Sequence, residues 1–517
     1  MAIVTPTQKF IDDLKGVSPF VSTNVNQNNK LSINNEPGTR SIIIGSTTVV
    51  DFINLTLNNG ETVSLKATYK GISVEESIFN AAIRGTLMMY DDSGGLEKFT
   101  IEGGEKISIK ISGPKTKEGN AGPILIWRED LVVQSITKNE VSIRNTALQY
   151  SLIFTSKSYL TSIKRNYFYP CRESIATAVV SIFKQMSTND LFIEDPKITL
   201  KTPYLPPGIN PHKVIDQLAQ RACASGKYFV FFERFVPITG TYPDGRPFAA
   251  THVFMSLDTI YSQARGVPKI IFAQKLNANL ESNNYLRAGR YVRENNFNHI
   301  NAMMLGLYNS ELVSINPIRK VSNTEILSYT RNDTRTSDFY VNKLLSSKNF
   351  FSYYNDLENE NPGRKLFFKS VNDPVAKESW LSKHIFGNLT KNLFKVTVDI
   401  QGGTNTIGIG QVVDFYAPSQ VSLISNPQSS TPEIDRLYSG FYLVTSVVHQ
   451  IVEGKYIKTL ELSRGSSPIN LDSELRYVEL SKQEQDQNDK INNNIRLPSS
   501  EITLIAERKT STKSKSR

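Results

Sequence analysis

The side chains able to do chemistry in this chain are scattered. Five histidines, His212, His252, His299, His384 and His449, occur in 517 residues. No two sit at helical metal-ligand spacing and no H-E-x-x-H occurs, so each reads as a surface or packing residue before a ligand. The two cysteines, Cys171 and Cys223, exclude a disulfide framework and a Cys-only zinc site. Cys223, between Ala222 and Ala224 on a predicted helix, reads as a small core residue rather than a nucleophile. There is no phosphate-binding loop, no glycine-rich dinucleotide turn between a strand and a helix, and no G-x-S-x-G elbow. The densest carboxylates are Glu75-Glu76, Asp91-Asp92 and the Glu358/Glu360 pair. Any two acids could hydrolyse a glycan if the fold brought them together. Asp91-Asp92-Ser93-Gly94-Gly95, however, has the make-up of a turn, and it fails the calcium-loop pattern. An aromatic group, Phe350, Phe351, Tyr353, Tyr354, Phe367 and Phe368, could stack bases. Few basic residues interleave with it, so it reads as the core of an insertion. No catalytic, cofactor or metal residue is assigned, and no enzymatic activity is expected.

Composition bounds the remaining classes. Hydrophobic residues make up 39% and charged residues 21%, as in an ordinary folded domain, and the length suggests three or four domains. The longest apolar runs, such as Tyr228-Phe229-Val230-Phe231-Phe232, are far short of a membrane span. Met1 to Phe10 lacks a basic start and an apolar block, so no secretory leader is expected. The net charge is +10, but Arg508, Lys509, Lys513, Lys515 and Arg517 supply half of it from the last ten residues. The body is therefore only mildly basic, and the tail is a candidate partner-binding extension rather than evidence of a nucleic-acid fold.

The elements that would have to position any site are mostly strands. Residues 1–40 form an Asn-rich N-terminal arm. From Ser41 the chain is rich in β-branched residues, and Lys106 to Ser112 alternates cleanly, with Ile107, Ile109 and Ile111 on one face. Residues 41–157 plus 228–251 are assigned to a first β domain. Residues 158–227 are a helical insertion: Ile175, Val179, Ile182 and Met186 form one helical stripe. A second helix is capped by Asn210, opened by Pro211 and closed by Gly226. Residues 252–320 plus 394–465 are assigned to a second β domain, interrupted by a mixed α/β insertion at 321–393 with a helix around Val375 to His384. Residues 466–517 are a polar, basic extension. The fold class is mainly β with α insertions: two split β blocks of similar architecture, with no residue-level repeat.

One stretch is more specific. Val74-Glu75-Glu76-Ser77-Ile78 is followed by Gly85-Thr86-Leu87, the Asp91–Gly95 turn, and Gly103-Gly104-Glu105 leading into the Ile-alternating strand. This resembles the first tube domain of the central baseplate hub proteins of contractile-tailed phages, a family related to the N-terminal part of type VI secretion spikes. Asn210 to Ala219, Gly306 to Leu312, and the pair Ile407 to Val413 and Ser439 to Thr445 are similar to the same family, in the same order. Gly85, Gly103, Gly104, Glu105, Gly410 and Gly440 are its fold-determining turn positions here. The resemblance implies two β-barrel-like tube domains per chain and a pseudo-sixfold homotrimeric ring matching a sixfold tail tube to a threefold spike. It implies self-association, a central spike protein, a tail tube or tube-initiator protein and wedge proteins as partners. It also implies transient passage of genomic DNA without specific binding, and no membrane. The expected location is the virion tail baseplate, assembled in the host cytoplasm. The chain carries extra length in its arm, in 321–393 and past 478, and has neither β-helix repeats nor a lysozyme segment. Piercing and wall-cutting parts are expected on separate proteins. The rival readings are a tail-associated peptidoglycan hydrolase and a carbohydrate- or nucleic-acid-binding β module.

Overall fold

Strands that alternate Ile, Val and Leu with polar residues need a second apolar layer, and this chain supplies it by curling its strands into barrels. The computed structural model describes residues 46–91, 101–113, 124–138, 148–241, 247–262, 268–272, 285–295, 309–316, 320–328, 365–370, 375–390, 394–401, 407–417, 435, 438–452 and 454–464. The first block contains β1 (Ser46–Thr47), β2 (Val49–Thr56), β3 (Thr62–Ser64), β4 (Tyr69–Ser77), β5 (Arg84–Asp91), β6 (Lys106–Ser112), β7 (Ile124–Lys138) and β8 (Leu148–Ser156). They run in the order β4-β5-β8-β7-β6-β2-β3. Ile53, Ile107, Ile109, Ile111, Leu152 and Phe154 fill the interior.

The first insertion follows: α1 (Lys157–Ile163), α2 (Ile175–Met186), β9 (Asp190–Ile193), α3 (Pro211–Ala222), β10 (Phe229–Thr241), β11 (Pro247–Ser256) and α4 (Leu257–Ser262). Ser174 caps α2 by accepting from the Thr177 N–H at 3.1 Å, and Asn210 caps α3 by accepting from the Lys213 N–H at 3.0 Å. The α2 stripe Ile175, Val179, Ile182 and Met186 is buried, as its spacing predicts. Gly226 closes the turn after α3 at φ +91°.

The second block contains β12 (Lys269–Phe272), β13 (Tyr285–Asn295), β17 (Phe394–Gln401), β18 (Val412–Tyr416), β19 (Gly440–Val452) and β20 (Lys455–Arg464). Between β13 and β17 lie β14 (Asn309–Asn316), β15 (Val321–Ser328), β16 (Lys365–Ser370) and helix α5 (Lys377–Thr390). The pairings β19-β20-β17-β13-β12-β18-β19 close a six-stranded barrel. The fold is mainly β with helical insertions, as the sequence pattern predicts.

The two barrels share a wall. β18 pairs with Gly440–Leu443 of β19, while β4 pairs with Ser446–Val452 of the same strand. β1 continues into β2 and pairs with Tyr456 and Lys455 of β20. The base of the β19–β20 hairpin thus completes the second barrel, and its tip completes the strand circuit of the first. Ile451 and Tyr456 at the tip lie in the first core, whereas Val447 and Leu460 lie in the second.

Two boundaries differ from the sequence reading. The aromatic run at Tyr228–Phe232 does not rejoin the first barrel. It enters β10, which pairs with β11, and β11 pairs with β9, in a separate three-stranded sheet carried by the helices. A run apolar on both faces suits a strand covered on both sides, here by α2 and α3 on one of them, better than a half-exposed barrel wall. The second insertion begins before residue 321, because β14 pairs with β15 across that boundary and with β16 beyond it. Of the aromatic group, Phe367 packs half-buried against the larger core, and Phe350, Phe351, Tyr353 and Tyr354 lie outside the described residues.

Gly85 sits inside β5, opposite Phe154 of β8. A Cβ there would lie 2.3 Å from the Phe154 ring and 2.8 Å from the Ser73 carbonyl. Gly85→Ala should therefore destabilise the chain by roughly 1–3 kcal/mol through overpacking, read as a lowered urea midpoint with an unchanged slope.

Candidate functional site

Where the two cores meet, the inward alternation breaks on three adjacent strands. Along β4 the inward residues run Val74, Glu76 and then, just past its end, Ile78. Along β19 they run Ile451, His449, Val447, and along β20 Tyr456, Lys458, Leu460. Each strand carries one polar residue between an apolar residue of the first core and one of the second. Register places them together: His449 faces Lys458, and Val447 faces Glu76.

β10 inserts Glu233-Arg234-Phe235 into this seam. Phe235 fills the first core, and its backbone N–H donates to Glu76 Oε2 at 2.6 Å. His449 Nε2 lies 3.5 Å from Glu76 Oε1, and Nδ1 shares a 2.7 Å hydrogen bond with the Tyr456 hydroxyl. Lys458 Nζ donates to the Ile407 carbonyl. Two residues before Phe235 on β10, Glu233 accepts from Arg128 Nη2 at 2.5 Å and from the Ile83 N–H at 3.3 Å. Arg128, on β7, also makes a two-point contact with Asp130 at 2.6 and 2.9 Å and donates to the Arg234 carbonyl at 3.0 Å. His252 of β11 shares hydrogen bonds with Ser158 of α1 and with Thr251, both at 3.0 Å.

The electrostatics follow from burial and contact. Burial drives the His449 and His252 pKa values down, so both rings are neutral at neutral pH. Burial alone would raise Glu76, but the His449 ring, the Phe235 N–H and Arg234 hold its carboxyl below the ordinary range. Against the same desolvation, Glu233 and Asp130 keep Arg128 firmly charged. Burial lowers Lys458 to about 8 and Arg234 to about 10. Glu76 and Glu233 are each held by a backbone N–H or a cation from another element, and Asp130 braces Arg128 from the same strand. Such an arrangement ties the two barrels and the helical insertion into one body.

The residues singled out in the sequence fall elsewhere. Glu75 is exposed and Glu76 buried, on opposite faces of β4, so they form no carboxylate pair. Asp91 is buried at the end of β5; Asp92, Glu358, Glu360 and His299 lie outside the described residues, as do Arg508, Lys509, Lys513, Lys515 and Arg517. Cys223 is fully buried, and burial pushes its thiol up to about 12. Gly103 and Gly104 adopt φ +101° and +97°. Their turn lets the buried Glu105 carboxylate cap it, accepting from the Glu102 N–H at 2.8 Å and the Gly103 N–H at 3.0 Å. Gly410 (φ +73°) and Gly440 (φ +123°) sit at the junctions into β18 and β19, whereas Gly85 is a strand residue and not a turn. Among the described residues, no three His, Cys, Asp or Glu side chains gather as a metal set, and no helix is long and apolar enough to cross a membrane.

No family model matches this sequence, and no curated protein matches it. Solved structures do. A tail protein from Neisseria meningitidis MC58 is 11% identical, with 80% of this chain and 96% of that chain covered and a TM-score of 0.44. The 43 kDa tail protein of prophage MuSo2 from Shewanella oneidensis is 10% identical, with 80% and 98% covered and a TM-score of 0.43. A chain of the Francisella PdpA–VgrG complex is 11% identical, with 86% and 62% covered and a TM-score of 0.40. The chain is similar to phage tail proteins and to VgrG-related secretion proteins.

Removing one member of the seam should cost more than its hydrogen bonds. Glu76→Gln leaves buried Arg234 and Lys458 without their carboxylate and should destabilise by about 3–5 kcal/mol at pH 7. Lys458→Met, which deletes a buried charge, should cost less. The unfolded chain keeps the Lys458 proton up to about its ordinary 10.5, while the folded chain releases it near 8. Wild-type stability should therefore gain as pH rises from 8 toward 10.5, and Lys458→Met should lack that gain in urea titrations.

His212 offers the acid counterpart. It is buried on α3 between the Tyr159 and Phe231 rings, and burial pushes it down to about 3. The unfolded chain takes up this proton first as pH falls through 6.5, so stability drops from there toward pH 3. His212→Phe keeps the ring packing and should recover on the order of 2–4 kcal/mol near pH 4, with little change at pH 8, by chemical denaturation.

Proposed function

We propose that this chain is a non-enzymatic structural hub of a phage tail baseplate. Three copies close a ring that joins a sixfold tail tube to a threefold central spike and forms part of the DNA exit channel. The observation that carries this reading is the shared β19–β20 hairpin. It makes two barrels one rigid unit, so three chains present six similar barrels at one end while keeping threefold symmetry. The buried charged seam supports it further, because a chain that must transmit force between tube and spike gains from having no hinge between its barrels. The motif order from Val74 to Thr445, which resembles that of the hub proteins, points the same way. The wedge, tube and spike contacts belong to the outer surfaces of the ring, and DNA passes without a sequence-reading site.

The test is absolute mass by light scattering on the full chain. Three copies of the 58.0 kDa chain give about 174 kDa. A trimer, alone or on adding a central spike protein, is the expected result. A chain that stays at 58.0 kDa under both conditions and at every concentration overturns the proposal.

A further inference from the structure

Among the described residues, two exposed groups of apolar side chains stand apart from the seam. The first is a ridge on the helical insertion, where the segment after α1 and the segment before α3 run antiparallel. Phe168, Tyr169 and Leu205 are 62%, 65% and 66% exposed there. The ridge is rigid: the Tyr167 N–H donates to the Ile209 carbonyl, and Cys171 and Tyr204 exchange two backbone hydrogen bonds. Tyr167, Cys171 and Tyr204 are buried beneath it. Gly208, at φ +71°, lets the Phe168 ring lie where any Cβ would collide with it at 2.5 Å. Three exposed prolines, Pro170, Pro203 and Pro207, stiffen it further. The rim is basic, with Lys164, Arg165, Arg172 and Lys201 exposed against a single acid, Glu173.

The second surface is the outer face of the first barrel. Register aligns Phe52, Lys110 and Trp127 across β2, β6 and β7. Trp127 is 51% exposed and Val49 39% exposed. The Lys110 ammonium lies over the Trp127 ring at 5.4 Å, and the indole N–H donates to Glu129 at 3.2 Å. The rim here is acidic at Asp51 and Glu129, both exposed. Half-exposed Trp, Phe and Tyr on pre-ordered backbone are the residue types that anchor protein interfaces, and rigidity lowers the cost of ordering them.

We propose that the Phe168–Leu205 ridge of one copy seats on the Trp127 face of a second copy, its basic rim against the acidic rim of that face. The match of charge and of apolar anchors selects a second copy as the occupant. Ridge and face are different surfaces, so the contact is heterologous and closes into a ring when its rotation does. The inference rests on the ring reading of the preceding section and names the contact that would hold it.

The experiment follows self-association of the full chain by sedimentation across concentration. Phe168→Glu with Leu205→Glu, and separately Trp127→Glu, should each weaken association at least about tenfold, while circular dichroism and the unfolding midpoint stay near wild type. Lys164→Glu with Lys201→Glu should also weaken it, and adding Glu129→Lys should restore it, which a misfolded variant cannot do. If the wild type is a trimer and all these variants remain equally strong trimers, this contact is wrong and the ring stands. If the wild type is monomeric at every concentration, both alone and with a central spike protein added, ring and contact both fall. Binding of labelled oligothymidylate that the ridge variant loses, with association unchanged, would overturn the contact in favour of single-stranded nucleic acid on the ridge.

Discussion

The β19–β20 hairpin is a wall that two barrels need at once. Neither circuit of strands is complete without it: the second barrel closes on its base, and the first on its tip through β1 and β4. A long strand can serve two barrels only if its pairing partner changes part-way, and β19 does this at a bulge. The register against β20 shifts between Val444 and Ser446. The skipped residue, Thr445, is fully buried, and its carbonyl accepts from the Ile78 N–H at 2.9 Å and the Ser77 hydroxyl at 3.3 Å. The bulge that ends pairing with β18 thus begins the attachment to β4. Extra twist at a bulge is what allows one strand to leave one curved sheet and enter another.

The same constraint explains the buried charges. Two apolar cores joined by continuous strands could slide against each other in register with little penalty, since a two-residue slip returns apolar residues to the inside. Glu76, His449 and Lys458 remove that degeneracy. A slip of any one strand would carry its polar residue into one apolar core and leave the others unpaired. Such pairs add little net stability over apolar residues of equal size, so their contribution here is to specify one arrangement. Glu233 and Arg128 extend the lock to the helical insertion, because β10 supplies Glu233 to one half of the cluster and the Phe235 N–H to the other.

The barrels were legible in the sequence where alternation was unbroken, as at Ile107, Ile109 and Ile111, and the helices where caps were explicit, as at Asn210-Pro211. The turn at Gly103-Gly104-Glu105 was legible as a turn, though not that Glu105 would be its buried cap. The path of Tyr228–Phe232 was not legible, because a continuous aromatic run has no period to say which sheet it joins. The seam was missed for a different reason. A lone Glu, His or Lys in a strand reads as an outward residue, and only the phase of its neighbours shows otherwise. Val74-x-Glu76-x-Ile78, Val447-x-His449-x-Ile451 and Tyr456-x-Lys458-x-Leu460 each place the polar residue in phase with apolar ones. That signal is present three times, but which strands lie side by side is a tertiary fact.

The proposed ring would set a problem that a monomer does not meet, since a small error in the angle between the two barrels would be repeated in every copy and prevent closure. Apolar contact between barrels would fix their distance and leave the angle soft, because dispersion and burial are non-directional. Hydrogen bonds and two-point ion pairs are directional. The seam sets such bonds from β4, β7, β10, β19 and β20 around one point, which restrains rotation about more than one axis. In this reading the buried charges do for the angle what the shared hairpin does for the distance. The two together are what a chain with two tube-like barrels would need in order to behave as one-third of the proposed ring.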